Sequence, residues 1–506
     1  MKKETKQDLN INKIKQKLIL KLNSAKENYS YLIKPFFILL FIYILAIYPI
    51  IRANFNYIDD LERVNVGNRS WAGFSRFISE YLSIFIHSSN YLTDISPLTQ
   101  IIAAVFLALS SVIVLHLFNK NKKITFINLI SVIPIGLSPY FLECISYKYD
   151  SPYMALSILF GAFPFLFYDN KSKKNYAFPL MVVFGVIGMC MTYQASSSVI
   201  PLIALFYSFK LWNNKQAKES IKFLVMTAGS YLLGIMIFKM FIMVPSVTYV
   251  SNKILSIKNF IPGFFNNLKT YYQYLQSDFR ILWLVLIFLM VLSFIILQFR
   301  KTKQKKLLTA TISILLVIIS LIITFGLYPA LEKPLFAPRA MYGIGIFIAL
   351  IGVNITNDKK MYVSKMLTIC LCWCFFTFAF TYGNALSEQK RYIDFRVQSV
   401  INEINQLEMM TTSETKTITI KGSIGKAPSI LNLPQDYSNI INRLIPQSFG
   451  GGWYWDEYYF ANYFNLKNVV VNSNEIVKHK NLKTIKNTMY YEISTNNEDY
   501  ILINLK

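Results

Sequence analysis

Acidic residues are scarce in this chain of 506 residues: 27 Asp and Glu stand against 52 Lys and Arg, a formal net charge of +25. An excess of that size could suggest nucleic acid, but the basic residues sit in an N-terminal tail and in alternate short loops, a pattern that orients a membrane protein; no nucleic-acid partner is expected. Charge is almost missing from the long apolar runs, Lys239 being the main exception. That argues against an ion-coupled transporter, which usually buries ionisable groups at mid-membrane. Cysteine is also rare, at five. Cys370, Cys372 and Cys374 alternate inside one apolar run and do not share a helix face, so core packing is expected there and a metal site is not. Cys144 and Cys190 fall near the outer ends of apolar runs, and no disulfide is expected between them. There is no zinc spacing, Walker loop, dinucleotide fingerprint or internal repeat.

What is abundant is apolar sequence: 54% of residues are hydrophobic and 16% aromatic. Such a composition, in blocks over the first three quarters of the chain, excludes an ordinary soluble fold. A spanning helix needs roughly 20 mostly apolar residues, and eleven candidate segments occur, near 33–51, 97–118, 124–142, 152–168, 177–193, 196–212, 223–245, 279–299, 307–328, 340–356 and 364–382. Lysine clusters such as 120–123, 171–174, 215–222 and 301–306 then fall on one side, which is cytoplasmic by the positive-inside rule. The sequence predicts a mainly α, polytopic helical bundle of about eleven spans (residues 35–382), a basic cytoplasmic tail (1–34), a first outer loop (52–96) and a small α/β domain outside the membrane (383–506). Strands are expected at Thr415–Ile420, Val469–Val471 and Tyr500–Ile503. The tail lacks the cleavage pattern of a signal peptide and is expected to rest on anionic headgroups.

The polar chemistry gathers at the outer face. Asp59, Asp60, Glu62 and Arg63 follow directly on the first apolar run, where a lipid headgroup would lie. Gly73 to His87 carries Phe74, Phe77, Ile78, Tyr81, Leu82 and Phe85 at intervals of three and four, which reads as an amphipathic helix lying in the interface or packed as a loop helix; Arg76 and Glu80 have the spacing of a surface pair. Asp94-Ile95-Ser96-Pro97 and Asp150-Ser151-Pro152 look like helix starts, and their positive dipole ends favour a phosphate. Ala337-Pro338-Arg339-Ala340 repeats the layout with a guanidinium, and Gln194 lies in a tight outer turn. Lys239 either snorkels outwards or faces an anion. Trp453 and Trp455, in a Gly- and aromatic-rich run, suit sugar stacking or docking on the membrane.

A carboxylate at a membrane surface beside cations suits sugar transfer from a lipid-linked phosphate to a hydroxyl: the carboxylate takes the hydroxyl proton, and cations or dipoles receive the departing phosphate. Tyr57-Ile58-Asp59-Asp60-Leu61-Glu62-Arg63, then Gly67, Trp71 and Arg76, then Asp94 to Gln100 and Asp150 to Leu156, resemble the membrane glucosyltransferases of serotype-converting phages, most strongly over residues 35–200. The resemblance implies a GT-C architecture in the bacterial inner membrane, undecaprenyl-phosphate glucose as donor and no other cofactor, a lipid-linked O-antigen acceptor on the periplasmic face, and a donor synthase and flippase as partners. It places the general base at Asp59 or Asp60, with Asp60 slightly favoured although helix or turn geometry could expose either one; repulsion between adjacent carboxylates raises the pKa of one and leaves its partner the likelier acceptor of a proton or of sugar hydroxyl hydrogen bonds. Substrate contacts are expected from Arg63 and Arg339 (phosphate), Asp150 and Gln194 (sugar hydroxyls), and Arg76, Asp94, Trp453 and Trp455. The alternatives are a flippase or polymerase of lipid-linked polysaccharide and a non-catalytic scaffold.

Overall fold

The computed structural model describes residues 29–119, 123–169, 176–244, 253–449, 456, 459–466, 469–471 and 482–506. Most of the basic tail, Trp453 and Trp455 lie outside the described residues. Helix dominates. Among the described residues seven helices are long and apolar enough to cross a membrane: Ser30–Ala53, Leu98–Asn119, Gln194–Asn213, Ala217–Ile242, Ile281–Lys301, Lys306–Ile323 and Tyr362–Ile404. The other four expected spans are shorter apolar helices, Phe126–Leu137, Ser151–Phe167, Ala177–Cys190 and Gly343–Thr356. Proline is one reason. Pro134 and Pro139 divide the third segment into Phe126–Val132, Pro134–Leu137 and Phe141–Ser146, and Pro164 turns the end of the fourth into 3-10 helix.

Solvent exposure follows hydropathy in reverse. On the helices from Ala217, Ile281 and Lys306 only 28% of each apolar window is buried, and Ile221, Phe288 and Leu315 are exposed. Such a surface would aggregate in water and is stable against acyl chains. Helix Phe77–His87 shows the same inversion: it packs through Ser79, Ser83 and His87 and turns Tyr81 and Phe85 outward. This matches a helix at a lipid boundary, not one packed by its apolar side.

Hydrogen bonds sort the loops into two sets. Asn128 bonds Asn357, Lys210 bonds Phe118, Asn213 bonds Gln298, and Lys301 pairs with Asp358. The other set joins the loops after residues 53, 93, 142, 193 and 335. Helix Leu98–Asn119, about 33 Å long at 1.5 Å per residue, starts in the second set and ends in the first. The bundle therefore has a basic end and an end rich in ion pairs, as the alternation of loops predicts.

The last apolar helix does not stop at the expected domain edge but runs unbroken from Tyr362 to Ile404. Its far end holds a five-stranded mixed sheet of order β2-β1-β5-β4-β3, with β1 Lys416–Lys421, β2 Val469–Val471, β3 Lys483–Asn487, β4 Tyr491–Thr495 and β5 Tyr500–Leu505. β1 is parallel to β2 and β5, while β4 is antiparallel to β3 and β5. Ile418, Ile420, Ile493, Ile501 and Ile503 fill its core. Arg396 clamps helix to sheet by donating to the carbonyls of Tyr490 (2.7 Å) and Lys506 (2.8 Å). The expected core packing of the three cysteines holds for Cys372, which is buried, and is corrected for Cys374, half-buried, and Cys370, exposed. Residues two apart on a helix point about 200° apart, so the three cannot share an environment. Cys144 and Cys190 are buried and unpaired.

Candidate active site

Two left-handed residues shape the first loop. Helix Ile33–Ala53 is closed by Asn54 (φ 45°), and Ile58 adopts φ 48°. A β-branched side chain in that region stores strain and persists only where its surroundings impose it. Here the imposed turn launches helix Asp60–Val66 and separates the two adjacent aspartates. Asp60 points inward with no exposure. Its Oδ2 accepts the backbone N–H of Tyr57 (3.1 Å) and of Lys148 (2.9 Å). Burial pushes its carboxyl up to about 7 against the opposing pull of Arg63 and of Lys148. The expected rise in one carboxyl of the pair is present, and its first cause is desolvation rather than mutual repulsion. Asp59 stands at the N-cap without a side-chain capping bond and is partly exposed. Capping therefore does not account for it.

Helix Asp60–Val66 ends on Gly67 at φ 67°. A Cβ there would sit 2.9 Å from the Leu92 carbonyl oxygen, so glycine lets the loop return alongside residue 92, whose N–H it accepts at 2.9 Å. This places Arg63 against Asp150. The two form a buried ion pair; the Trp71 indole N–H donates to the other oxygen of Asp150 at 2.5 Å, and the guanidinium lies 4.5 Å from the Trp71 ring centre. Asp150 is the N-cap residue of the helix that starts at Ser151 but makes no side-chain capping bond. Its carboxylate is committed to Arg63 and Trp71. A second buried pair joins Arg339 to Glu143, whose carboxylate accepts the Arg339 backbone N–H at 2.6 Å and Nη1 at 2.7 Å. Asp94 pairs with Lys148 at 3.2 Å and accepts Ser96 N–H at 3.0 Å; the side chain and amide bonds hold its carboxyl below the usual range despite burial. Glu80 binds the Trp71 and Ala72 amides and Arg69 instead of Arg76. Arg76 turns to Gln194 (Nε to Oε1, 3.3 Å) and lies over the Tyr193 ring at 4.6 Å.

These groups surround a cavity of ≈ 300 Å³. Its lining includes Asp59, Arg63, Arg76, Asp150, Gln194 and Arg339, together with the apolar Ile235, Phe238, Met243, Val244 and Leu327, and Lys239. Lys239 thus lines the cavity. With Asp59, Arg63, Arg76, Asp150, Gln194 and Arg339, seven of the charged and polar residues singled out in the sequence meet here. Asp60 and Asp94 do not line it: Asp60 is buried against the Tyr57 and Lys148 amides, and Asp94 pairs with the Lys148 side chain. Arg63 and Arg339 reach the cavity with their charges matched by Asp150 and Glu143. Among the described residues Arg76 and Lys239 have no carboxylate partner, and no group of three or more His, Cys, Asp or Glu could hold a metal. Sequence reasoning missed Glu143 and Lys148. The signal was present: both are charges in an otherwise apolar stretch from Phe141 to Tyr149, and a buried charge requires a partner.

The fold and site define a helical membrane protein with a cavity at one end of its bundle, lined by both charged and apolar side chains. Residues 48–350 match the family described as Glucosyl transferase GtrII, and the chain belongs to that family. Over 477 residues, 90% of this chain and 95% of the relative, it is 23% identical to an uncharacterized 55.3 kDa protein in the gtrB 5' region of Salmonella phage P22. No solved structure gives a significant match.

Proposed function

We propose that the protein transfers glucose from undecaprenyl-phosphate glucose to a hydroxyl of lipid-linked O-antigen, at the periplasmic face of the bacterial inner membrane, as a GT-C-type enzyme. The observation that carries the reading is the cavity: a carboxylate with no side-chain capping bond, Asp59, shares it with two cations that no carboxylate neutralises among the described residues, Arg76 and Lys239, and with apolar side chains suited to a polyprenyl chain. Asp59 takes the acceptor proton as the acceptor oxygen bonds to the glucose anomeric carbon. The bond from that carbon to the phosphate oxygen breaks, and polyprenyl phosphate leaves with one more negative charge, stabilised by Arg76 and Lys239. Arg63 and Arg339, anchored by Asp150 and Glu143, add donors without adding net charge; Gln194 fixes Arg76 and offers its amide to sugar hydroxyls. A donor synthase and a flippase would supply the donor to the outer leaflet.

The test is transfer of labelled glucose from polyprenyl-phosphate glucose in membranes containing wild type, Asp59→Asn or Asp60→Asn. Loss of turnover in Asp59→Asn with normal insertion is expected. Full turnover by Asp59→Asn removes the proposed base, and movement of the intact donor without transfer would favour a flippase.

A further inference from the structure

Arg339 has a second face. Behind it lies another cavity of ≈ 300 Å³, lined by Tyr57, Ile58, Glu143, Tyr274, Phe336, Ala337, Pro338 and Arg339 from the bundle and by Arg443 and Pro446 from the C-terminal domain. We propose that this is the acceptor site and that it takes a hexose unit of a saccharide chain, with the C-terminal domain as its roof. The inference rests on the transferase reading above and adds to it where the acceptor binds.

Three observations support it. The two cavities share a partition: Arg339 lines both, and the strained turn sends Ile58 to one side and Asp59 to the other. A hydroxyl entering past Ile58 therefore reaches the residue next to Asp59, the carboxylate that lines the first cavity. The lining suits the ligand. The second cavity combines aromatic rings from Tyr57, Tyr274 and Phe336 with charged Glu143, Arg339 and Arg443. Flat apolar faces next to fixed hydrogen-bonding groups match a sugar, which has C–H faces and an equatorial rim of hydroxyls. Finally, the roof is fastened in place. Arg443 forms an ion pair with Asp278, donates to the Phe336 carbonyl and lies 4.0 Å from the Tyr274 ring centre, while Tyr140 donates to Asp278 at 2.8 Å. Tyr57 donates to the carbonyl of Leu444, and Asn439 to that of Ser277 at 3.0 Å. The side chains are thus preorganised, and their ordering cost is met on folding rather than on binding.

The experiment is saturation-transfer NMR on the full chain in detergent micelles. The probes are O-polysaccharide fragments built from rhamnose, galactose, mannose or N-acetylhexosamine. Saturation should reach at least one fragment, fall at least fivefold in Ala337→Trp, which fills the second cavity, and persist in Ile235→Trp, which adds bulk to the apolar lining of the first. Tyr274→Ala, which removes a stacking face without adding bulk, gives the same comparison should Ala337→Trp fail to fold. Saturation of no fragment, or loss in Ile235→Trp but in neither second-cavity variant, overturns the proposal. Its fate is separable from that of the base: an Asp59→Asn protein that transfers normally sinks the catalytic assignment and leaves this binding result standing.

Discussion

Replacing each of the adjacent aspartates by asparagine separates a structural carboxyl from a chemical one. The Asp60 carboxyl lies at about 7 in the folded chain against roughly 3.9 when free. Between those values the folded protein keeps a proton that the unfolded chain has released, so stability falls as pH rises from about 4 to about 7 and is level above. Three units at 1.36 kcal/mol each give a penalty on the order of 4 kcal/mol as a ceiling. Asp60→Asn cannot ionise and retains an acceptor for the Tyr57 and Lys148 amides. It places an N–H₂ group where Oδ1 has no hydrogen-bond partner, at a pH-independent cost of about 1–3 kcal/mol. Thermal or denaturant unfolding of the purified protein at pH 4.5 and pH 8 should therefore show the variant gaining on wild type as pH rises, with turnover within tenfold of wild type. Asp59→Asn should lose roughly 10²–10⁴ in turnover. An Asp60→Asn protein that folds but is as inactive as Asp59→Asn, or a stability difference that is the same at both pH values, would refute the reasoning.

Further outcomes are expected elsewhere in the site. Arg76→Gln and Lys239→Gln should each raise the donor KM by about tenfold or more, since a charge-assisted contact contributes about 1.5–3 kcal/mol; initial rates against donor concentration check this, and unchanged KM in both variants removes them from the phosphate site. Trp71→Phe removes the indole N–H from buried Asp150 and should lower stability by about 1–3 kcal/mol, read by thermal unfolding. Gly67→Ala meets both a positive φ and the Leu92 carbonyl, so a loss of about 1–2 kcal/mol or more is expected; wild-type stability would show that the loop adjusts freely. Asp278→Ala leaves Arg443 without its partner and should cost about 3–5 kcal/mol, detectable as earlier proteolysis of the C-terminal domain.

The sequence by itself determined the class of fold. In lipid each spanning segment must satisfy its own backbone hydrogen bonds, so apolar runs specify helices regardless of what they pack against, and all eleven expected segments are wholly or partly helical. Alternate loop charge likewise foretold two unlike ends. The strands β1, β2 and β5 were legible from β-branched runs; β3, Lys-rich and exposed on every residue, was not, because it carries no run of apolar β-branched residues to mark it. What only the tertiary structure decided was the use of the polar residues. Successive helical residues point about 100° apart, so Asp59 and Asp60 cannot serve the same side, but which one faces the cavity depends on the strained Ile58 turn and on an amide of Lys148, 88 residues away. The matching of Arg63 with Asp150 and of Arg339 with Glu143 is equally non-local. A charge is visible in sequence; whether it is already neutralised depends on which distant loop the fold brings beside it.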